Sequence, residues 1–155
     1  MMTFELNTWL RAELVRRLNQ EEPEEACGLI SAPRHRREGK WATFALWGAE
    51  NASEEPETSF LIDPRAQTSI LEQIWKRGED LVGVYHSHPR SKAEPSERDR
   101  EIAARQPFPL TWVIVGKVAC PNCDGPVGDE VPAELLCTTC AGAGAVPDFW
   151  LGLLP

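Results

Sequence analysis

The run Leu81 to His88, LVGVYHSH, constrains this chain more than any other stretch. It is apolar, rich in β-formers and polar only at its end, so it reads as the clearest strand in the sequence. Side chains alternate between the two faces of a strand, so His86 and His88, two apart, point the same way. Two imidazole nitrogens can then reach one ion at about 2.0–2.1 Å. The chain holds three histidines, and two of them are here. A single histidine is more often a core or solvated residue. A pair that closes a strand, with Pro89 directly after it, invites a metal reading as well.

The rest of the chain supplies partners for that strand. Asn7 or Thr8 caps a first helix, with Leu10, Leu14, Val15 and Leu18 on one face. Pro23 breaks the acidic run that ends it. ACGLIS, from Ala26, reads as a buried strand, APRHRREGK as a polar loop, and WATFALW, Trp41 to Trp47, as a second strand. A loop and a short strand, SFLID, follow. Pro64 suits the first position of a helix whose stripe is Ile70, Leu71, Ile74 and Trp75, closed by Lys76, Arg77 and Gly78. After the histidines come a proline-bounded loop, a helix from about Ser96 to Arg105, and the apolar strand LTWVIVGKV, Leu110 to Val118. Strands and helices alternate, which predicts an α/β sandwich with a mixed sheet. Beyond residue 118 the composition turns to Gly, Pro, Cys and Ala. A boundary there predicts two parts, 1–118 and 119–155.

Asp99 adds to the histidine pair. Ser96 follows Pro95, and Asp99 stands three residues further on, close to a capping box at a helix start. By itself that is a structural feature. Beside His-x-His, the same turn also presents a carboxylate to an ion held by the strand. Two His and one Asp leave a fourth tetrahedral position for water, as in a catalytic zinc site. Neutral imidazoles add no charge and Asp adds one negative, so the site keeps about one net positive charge, which lowers the pKa of bound water to about 7.

At these residues the sequence resembles a known family. HSHPRSKAEPSERD fits His-x-His, seven residues, Ser, two residues, Asp, the signature of the JAMM metalloproteases (the MPN+ family), including both prolines. The resemblance extends over roughly residues 5 to 118, and the order of elements is similar too. It implies the MPN, cytidine-deaminase-like fold: a mixed β-sheet flanked by helices. It implies that His86, His88 and Asp99 are zinc ligands and that Ser96 stabilises a tetrahedral oxyanion. It also implies that Glu25, in EEACGLIS and three residues before Gly28, is the general base. The implied activity is that of a zinc peptidase or isopeptidase cutting after the C-terminal tail of a ubiquitin-like or sulfur-carrier protein. Glu24, Glu21 and Glu22 read as solvated charges.

Five cysteines are present, and four form two Cys-x-x-Cys pairs, CPNCDG and CTTCAG. Cys120, Cys123, Cys137 and Cys140 are expected to close a four-thiolate structural zinc site, a small zinc-ribbon-like module. With all four positions filled, that site has no catalytic vacancy. The fifth, Cys27, is expected to pack in the core. This segment departs from the family, in which further strands follow WVIV. The tail VPDFWLGLLP is expected to be an apolar flap on the main domain, with partner binding as a sharper alternative.

Composition excludes some classes. The formal net charge is −8 and the sequence pI about 4.9, against a general binder of nucleic acid. Asp124, Asp129, Glu130 and Glu134 argue the same for the cysteine segment. No window approaches the ~20 apolar residues of a membrane span, and no cationic, apolar leader opens the chain, so a cytoplasmic location is expected. Apolar residues make up 42%, enough for a packed core. A zinc deaminase would need His-x-Glu and Pro-Cys-x-x-Cys, but His88 and Ala119 stand at those positions. The remaining alternative is a non-catalytic MPN-type protein-binding scaffold, whose members lack parts of the metal motif.

Overall fold

A computed structural model describes residues 6–35, 44–122 and 145–154. In chain order the elements are α1 (Thr8–Glu21), β1 (Cys27–Pro33), β2 (Ala45–Ala49), α2 (Pro64–Lys76), β3 (Glu79–His88), α3 (Glu97–Ala104), β4 (Thr111–Ala119) and β5 (Ala145–Leu153). The strands form one mixed sheet in the order β2-β1-β3-β4-β5. Only β3 and β4 run parallel, with α3 in the crossover; the other pairs are antiparallel. No helix among the described residues is long and apolar enough to cross a membrane.

Helices cover both faces, which is why β1, β3 and β4 carry apolar residues on both. Asn7 caps α1, its side chain accepting from the Leu10 amide at 2.9 Å. Leu10, Leu14 and Leu18 then recur on one face and pack with Ile30, Tyr85, Val113 and Val115. Each such leucine stabilises the fold by about 1.5–3 kcal/mol relative to exposure. On the other face, α2 and α3 bring Ile70, Ile74 and Ala103 against Cys27, Leu29, Val84 and Trp112. Cys27 is buried in this core, as its apolar character predicts. Asp63 caps α2, and Gly78, at φ 71°, takes the left-handed turn into β3.

Four expectations need correction. Trp75 lies outside the α2 stripe, with 57% of its surface exposed. SFLID forms only an isolated bridge between Asn51 and Ile62, because Phe60 turns into the core and Asp63 is committed to its cap. β1 runs on through Ala32 and Pro33, and β2 through Gly48 and Ala49, all assigned to loops from the sequence. The tail is no flap. As β5 it pairs with β4 from Ala119↔Ala145 to Thr111↔Leu153 and completes the sheet. An apolar strand with an open edge recruits a second strand even where Pro147 and Gly152 blur its pattern. The cysteine quartet lies outside the described residues except for Cys120, which is buried.

Candidate metal centre

His86 and His88 close β3, where the alternation of the strand turns both rings to the α2–α3 face. Their Nε2 atoms stand 3.0 Å apart. Asp99, in the first turn of α3, completes the group. Its Oδ1 lies 3.0 Å from His86 Nε2 and its Oδ2 3.4 Å from His88 Nε2. All three side chains are buried. A tetrahedral ion with bonds of about 2.0–2.1 Å separates its ligand atoms by about 3.3–3.4 Å, close to the spacing found.

The donor chemistry fits a cation. His88 Nδ1 lies 3.2 Å from the Lys92 carbonyl oxygen. A carbonyl only accepts, so His88 Nδ1 carries a proton, and in the neutral ring the Nε2 lone pair faces its neighbours; only the protonated ring donates from Nε2 to Asp99. Two imidazole nitrogens that close repel unless a proton or a cation lies between them. Burial holds the His86 ring well below the usual histidine range, against the pull of Asp99. Burial acts the same way on His88, but the Asp99 hydrogen bond, the Lys92 carbonyl and the charges of Glu25 and Asp99 outweigh it and raise that group. For Asp99, burial favours the neutral acid, yet bonds from His86, His88 and the Ser96 amide hold it ionised far below the carboxylate range.

Aromatic packing fixes His86 where hydrogen bonding does not. Its ring stacks on Phe60 at 4.5 Å between centroids and meets the Trp112 ring edge-on at 5.8 Å. Its buried Nδ1 has no hydrogen-bond partner. Such an orphan costs about 1–3 kcal/mol in a core and persists where something other than stability selects the residue.

Asp99 also serves the helix. Ser96 Oγ accepts from the Asp99 amide at 3.1 Å, and the Ser96 amide donates to Asp99 Oδ2 at 2.7 Å. The capping box and the three-residue cluster thus share one carboxylate, with Oδ1 turned to His86 and Oδ2 placed between the Ser96 amide and His88. Ser96 is used as an acceptor there, which leaves its own O–H to donate elsewhere.

Glu25 precedes β1. The register Cys27↔His86, continued by the bond from the Ser87 amide to the Ala26 carbonyl at 2.9 Å, brings Glu25 beside His88. Its carboxyl is buried, and burial pushes it up to about 7, with His88 pulling it down and Asp99 pushing it further up. The sequence reading therefore assigned four residues, Glu25, His86, His88 and Asp99, that come together, with Ser96 at the helix start beside them. It missed the supports. Ser87 Oγ accepts from the Ala26 amide at 2.8 Å, and Asn51 Nδ2 donates to the Glu25 carbonyl at 3.1 Å. Neither has a signal in the sequence beyond Ser87's position between the histidines.

The family model of prokaryotic homologs of the JAB domain matches residues 8–124. The chain belongs to that family. Over 84 residues it is 38% identical to a desampylase of Haloferax volcanii, covering 54% of this chain and 58% of the relative. Over 99 residues it is 35% identical to the "Probable TtuB-protein conjugate cleaving protease" of Thermus thermophilus, with coverage of 63% and 60%. Over 98 residues it is 30% identical to the CysO-cysteine peptidase of Mycobacterium tuberculosis, with coverage of 61% and 64%. The chain thus spans less than two thirds of each of these relatives. Among solved structures, that of protein DSY2949 from Desulfitobacterium hafniense superposes with a TM-score of 0.58 at 30% identity, covering 71% of this chain and 72% of that one. Glu25, His86, His88, Ser96 and Asp99 all lie within the residues that the family model matches.

Proposed function

We propose that this protein is a zinc-dependent peptidase or isopeptidase that hydrolyses the amide bond after the C-terminal tail of a ubiquitin-like or sulfur-carrier protein. The observation that carries the reading is the convergence of His86, His88 and Asp99, with the buried Glu25 carboxyl alongside. The names of the relatives support the class of reaction, since they describe peptidases and the cleavage of protein conjugates.

A zinc ion held by His86, His88 and Asp99 supplies Lewis acidity toward water and toward the scissile carbonyl. The chain does the rest. Glu25 takes the proton from the attacking water and returns it to the departing amine, which requires a carboxyl able to hold and release a proton near neutral pH. Ser96 donates its O–H to the oxyanion that forms at the carbonyl. Phe60 and Trp112 keep water from the inner side of His86. Cys120, Cys123, Cys137 and Cys140 hold a second, structural zinc, and residues 119–155 form a segment apart from the catalytic part in composition, although β5 returns to the main sheet.

The test is cleavage of a carrier-protein conjugate by the zinc-loaded enzyme and its Glu25→Gln variant. Cleavage by the first and none by the second, with equal zinc in both, is expected. A fully active Gln variant removes Glu25 from the reaction, and a wild type that binds the conjugate without cutting it favours the scaffold reading.

A further inference from the structure

One rung of the sheet joins the metal centre to the last strand. His88 on β3 pairs with Gly116 on β4, and Gly116 pairs with Asp148 on β5. Residues directly across a ladder share a face, so Asp148 points to the same side as His88, with the side-chain-free Gly116 between them. The turn after His88 fills that gap. A Cβ on Gly116 would stand 2.5 Å from the Ser91 carbonyl oxygen and 2.6 Å from the Ala93 nitrogen. The turn is bound from two sides. The Lys117 amide donates to the Ser91 carbonyl at 2.8 Å, and the Ala93 amide donates to Asp148 Oδ2 at 2.9 Å. Between those two anchors lies Lys92, whose carbonyl accepts a hydrogen bond from His88 Nδ1.

We propose that Asp148 is a positioning residue for the metal centre: by holding the Ala93 amide it fixes the turn whose Lys92 carbonyl sets the tautomer and direction of His88. The inference rests on the reading of His86, His88 and Asp99 as metal ligands. Asp148 touches neither substrate nor ion. It acts through two hydrogen bonds joined by the Lys92–Ala93 peptide unit, and the carboxylate strengthens the first because a charged acceptor binds a backbone amide more tightly than a neutral one. The arrangement gives β5 a task beyond closing the sheet edge. A β4–β5 pair whose rung at Gly116 slipped by one residue would turn Asp148 to the opposite face and release the turn.

Cobalt(II) titration of the full chain, stripped of metal, tests this. Cobalt on nitrogen and oxygen ligands shows d–d bands, and thiolate-bound cobalt is told apart by its sulfur-to-metal charge-transfer band. Asp148→Ala is expected to weaken cobalt at the His-His-Asp centre about tenfold and to change its d–d envelope, in the range typical for outer partners of metal ligands. Asp148→Asn, whose amide oxygen accepts the same bond, is expected to stay within about threefold of wild type. Gly116→Ala, which lifts the turn from beneath and leaves Asp148 intact, is expected to weaken cobalt as well. Wild-type affinity and bands in Asp148→Ala overturn the proposal, as does an Asn variant as weak as the Ala one. If Asp148→Ala does not fold, wild-type cobalt binding by Gly116→Ala overturns it. If all d–d intensity of the wild type rises together with the sulfur-to-metal charge-transfer band and none appears apart from it, the metal reading itself is overturned; a separate wild-type set of d–d bands with an insensitive Asp148 overturns only the inference drawn here.

Discussion

Asn51 holds Glu25 by its backbone: the Asn51 side-chain amide donates to the Glu25 carbonyl at 3.1 Å. The same amide nitrogen reaches the carbonyls of Pro56, at 3.2 Å, and Ser59, at 2.9 Å. Its oxygen accepts from the amides of Ser53 and Leu61. One side chain therefore ties the loop from Ser53 to Leu61 to the residue beside the metal centre. Asn51→Ala is expected to cost about 2–3 kcal/mol, the scale of partly buried groups left unpaired. Cleavage is expected to fall about a hundredfold, the scale of a slightly misplaced catalytic group, with zinc content unchanged. Asn51→Asp keeps the two accepted bonds and loses every donated one, so it is expected to lose activity like the Ala variant. Urea denaturation, zinc analysis and a cleavage assay on the three proteins check this. An Asp variant with wild-type activity would remove the Glu25 contact from the explanation.

What the sequence made legible follows from local rules. His86 and His88 were readable because a strand has period two, and Asp99 because a capping box fixes the spacing from Ser96. Glu25 was readable through the resemblance alone, since an acidic run ahead of a strand looks like solvated charge. Asn51 was not readable, because its five partners meet only when the loop folds back, and a single Asn in a polar loop looks like any turn residue. β5 was hidden for a different reason. VPDFWLGLLP has no clean alternation, and what makes it a strand is the open edge of β4, a non-local cause. Trp75 shows the reverse error: its spacing fits the α2 stripe, but the face of α2 that is buried is that of Ile70 and Ile74, and Trp75 stays more than half exposed.

Tyr85 is the chain's single tyrosine, so tyrosinate absorbance reports on it alone. Burial pushes its phenol up to about 12, against the charge of Arg17 and the Arg17 Nη1 bond at 2.9 Å, both of which pull it down. The folded phenol keeps its proton in a range where the unfolded one, at 10.0, has lost it. The folded state thus binds more protons between those values, and stability falls as pH rises from about 10 toward about 12, by on the order of 3 kcal/mol in total. Absorbance titration of the native protein is expected to show a midpoint near 12, and of the protein in urea near 10. Arg17→Met removes the charge and keeps the stem, so its native midpoint is expected higher still. A native midpoint near 10 would contradict the burial of Tyr85.

His88→Ala separates the two expected zinc sites. With His88 gone, His86 and Asp99 remain, and two ligands on one side of an ion hold it weakly. The variant is expected to carry one metal equivalent fewer than the wild type. The difference is independent of whether the four cysteines load fully, because they are four separate donors. Metal content by atomic spectroscopy, after mild chelation of both proteins, reads it directly; equal content would remove His88 from the ligand set.

Ser96 and Asp99 share a capping box but not a role, and two substitutions pull the roles apart. Ser96→Ala removes the side-chain acceptor of the Asp99 amide, so α3 loses about 1 kcal/mol of capping. Asp99 still accepts from the Ser96 backbone amide, which the substitution leaves in place, and Oδ1 still faces His86. Metal content is therefore expected to stay at the wild-type level, while cleavage falls about a hundredfold or more if the hydroxyl donates to the oxyanion. Asp99→Asn does the opposite. The amide oxygen continues to accept at the cap, so the helix and the fold are kept. The other position becomes an NH2 group, a donor with no lone pair for a cation, and the negative charge is gone. That variant is expected to melt within a few degrees of the metal-free wild type and to bind no ion at the centre. Thermal melts with metal analysis on both variants decide the matter. If Ser96→Ala loses the ion, or Asp99→Asn keeps it, the carboxylate does not divide between helix cap and metal as its two oxygens are arranged to do.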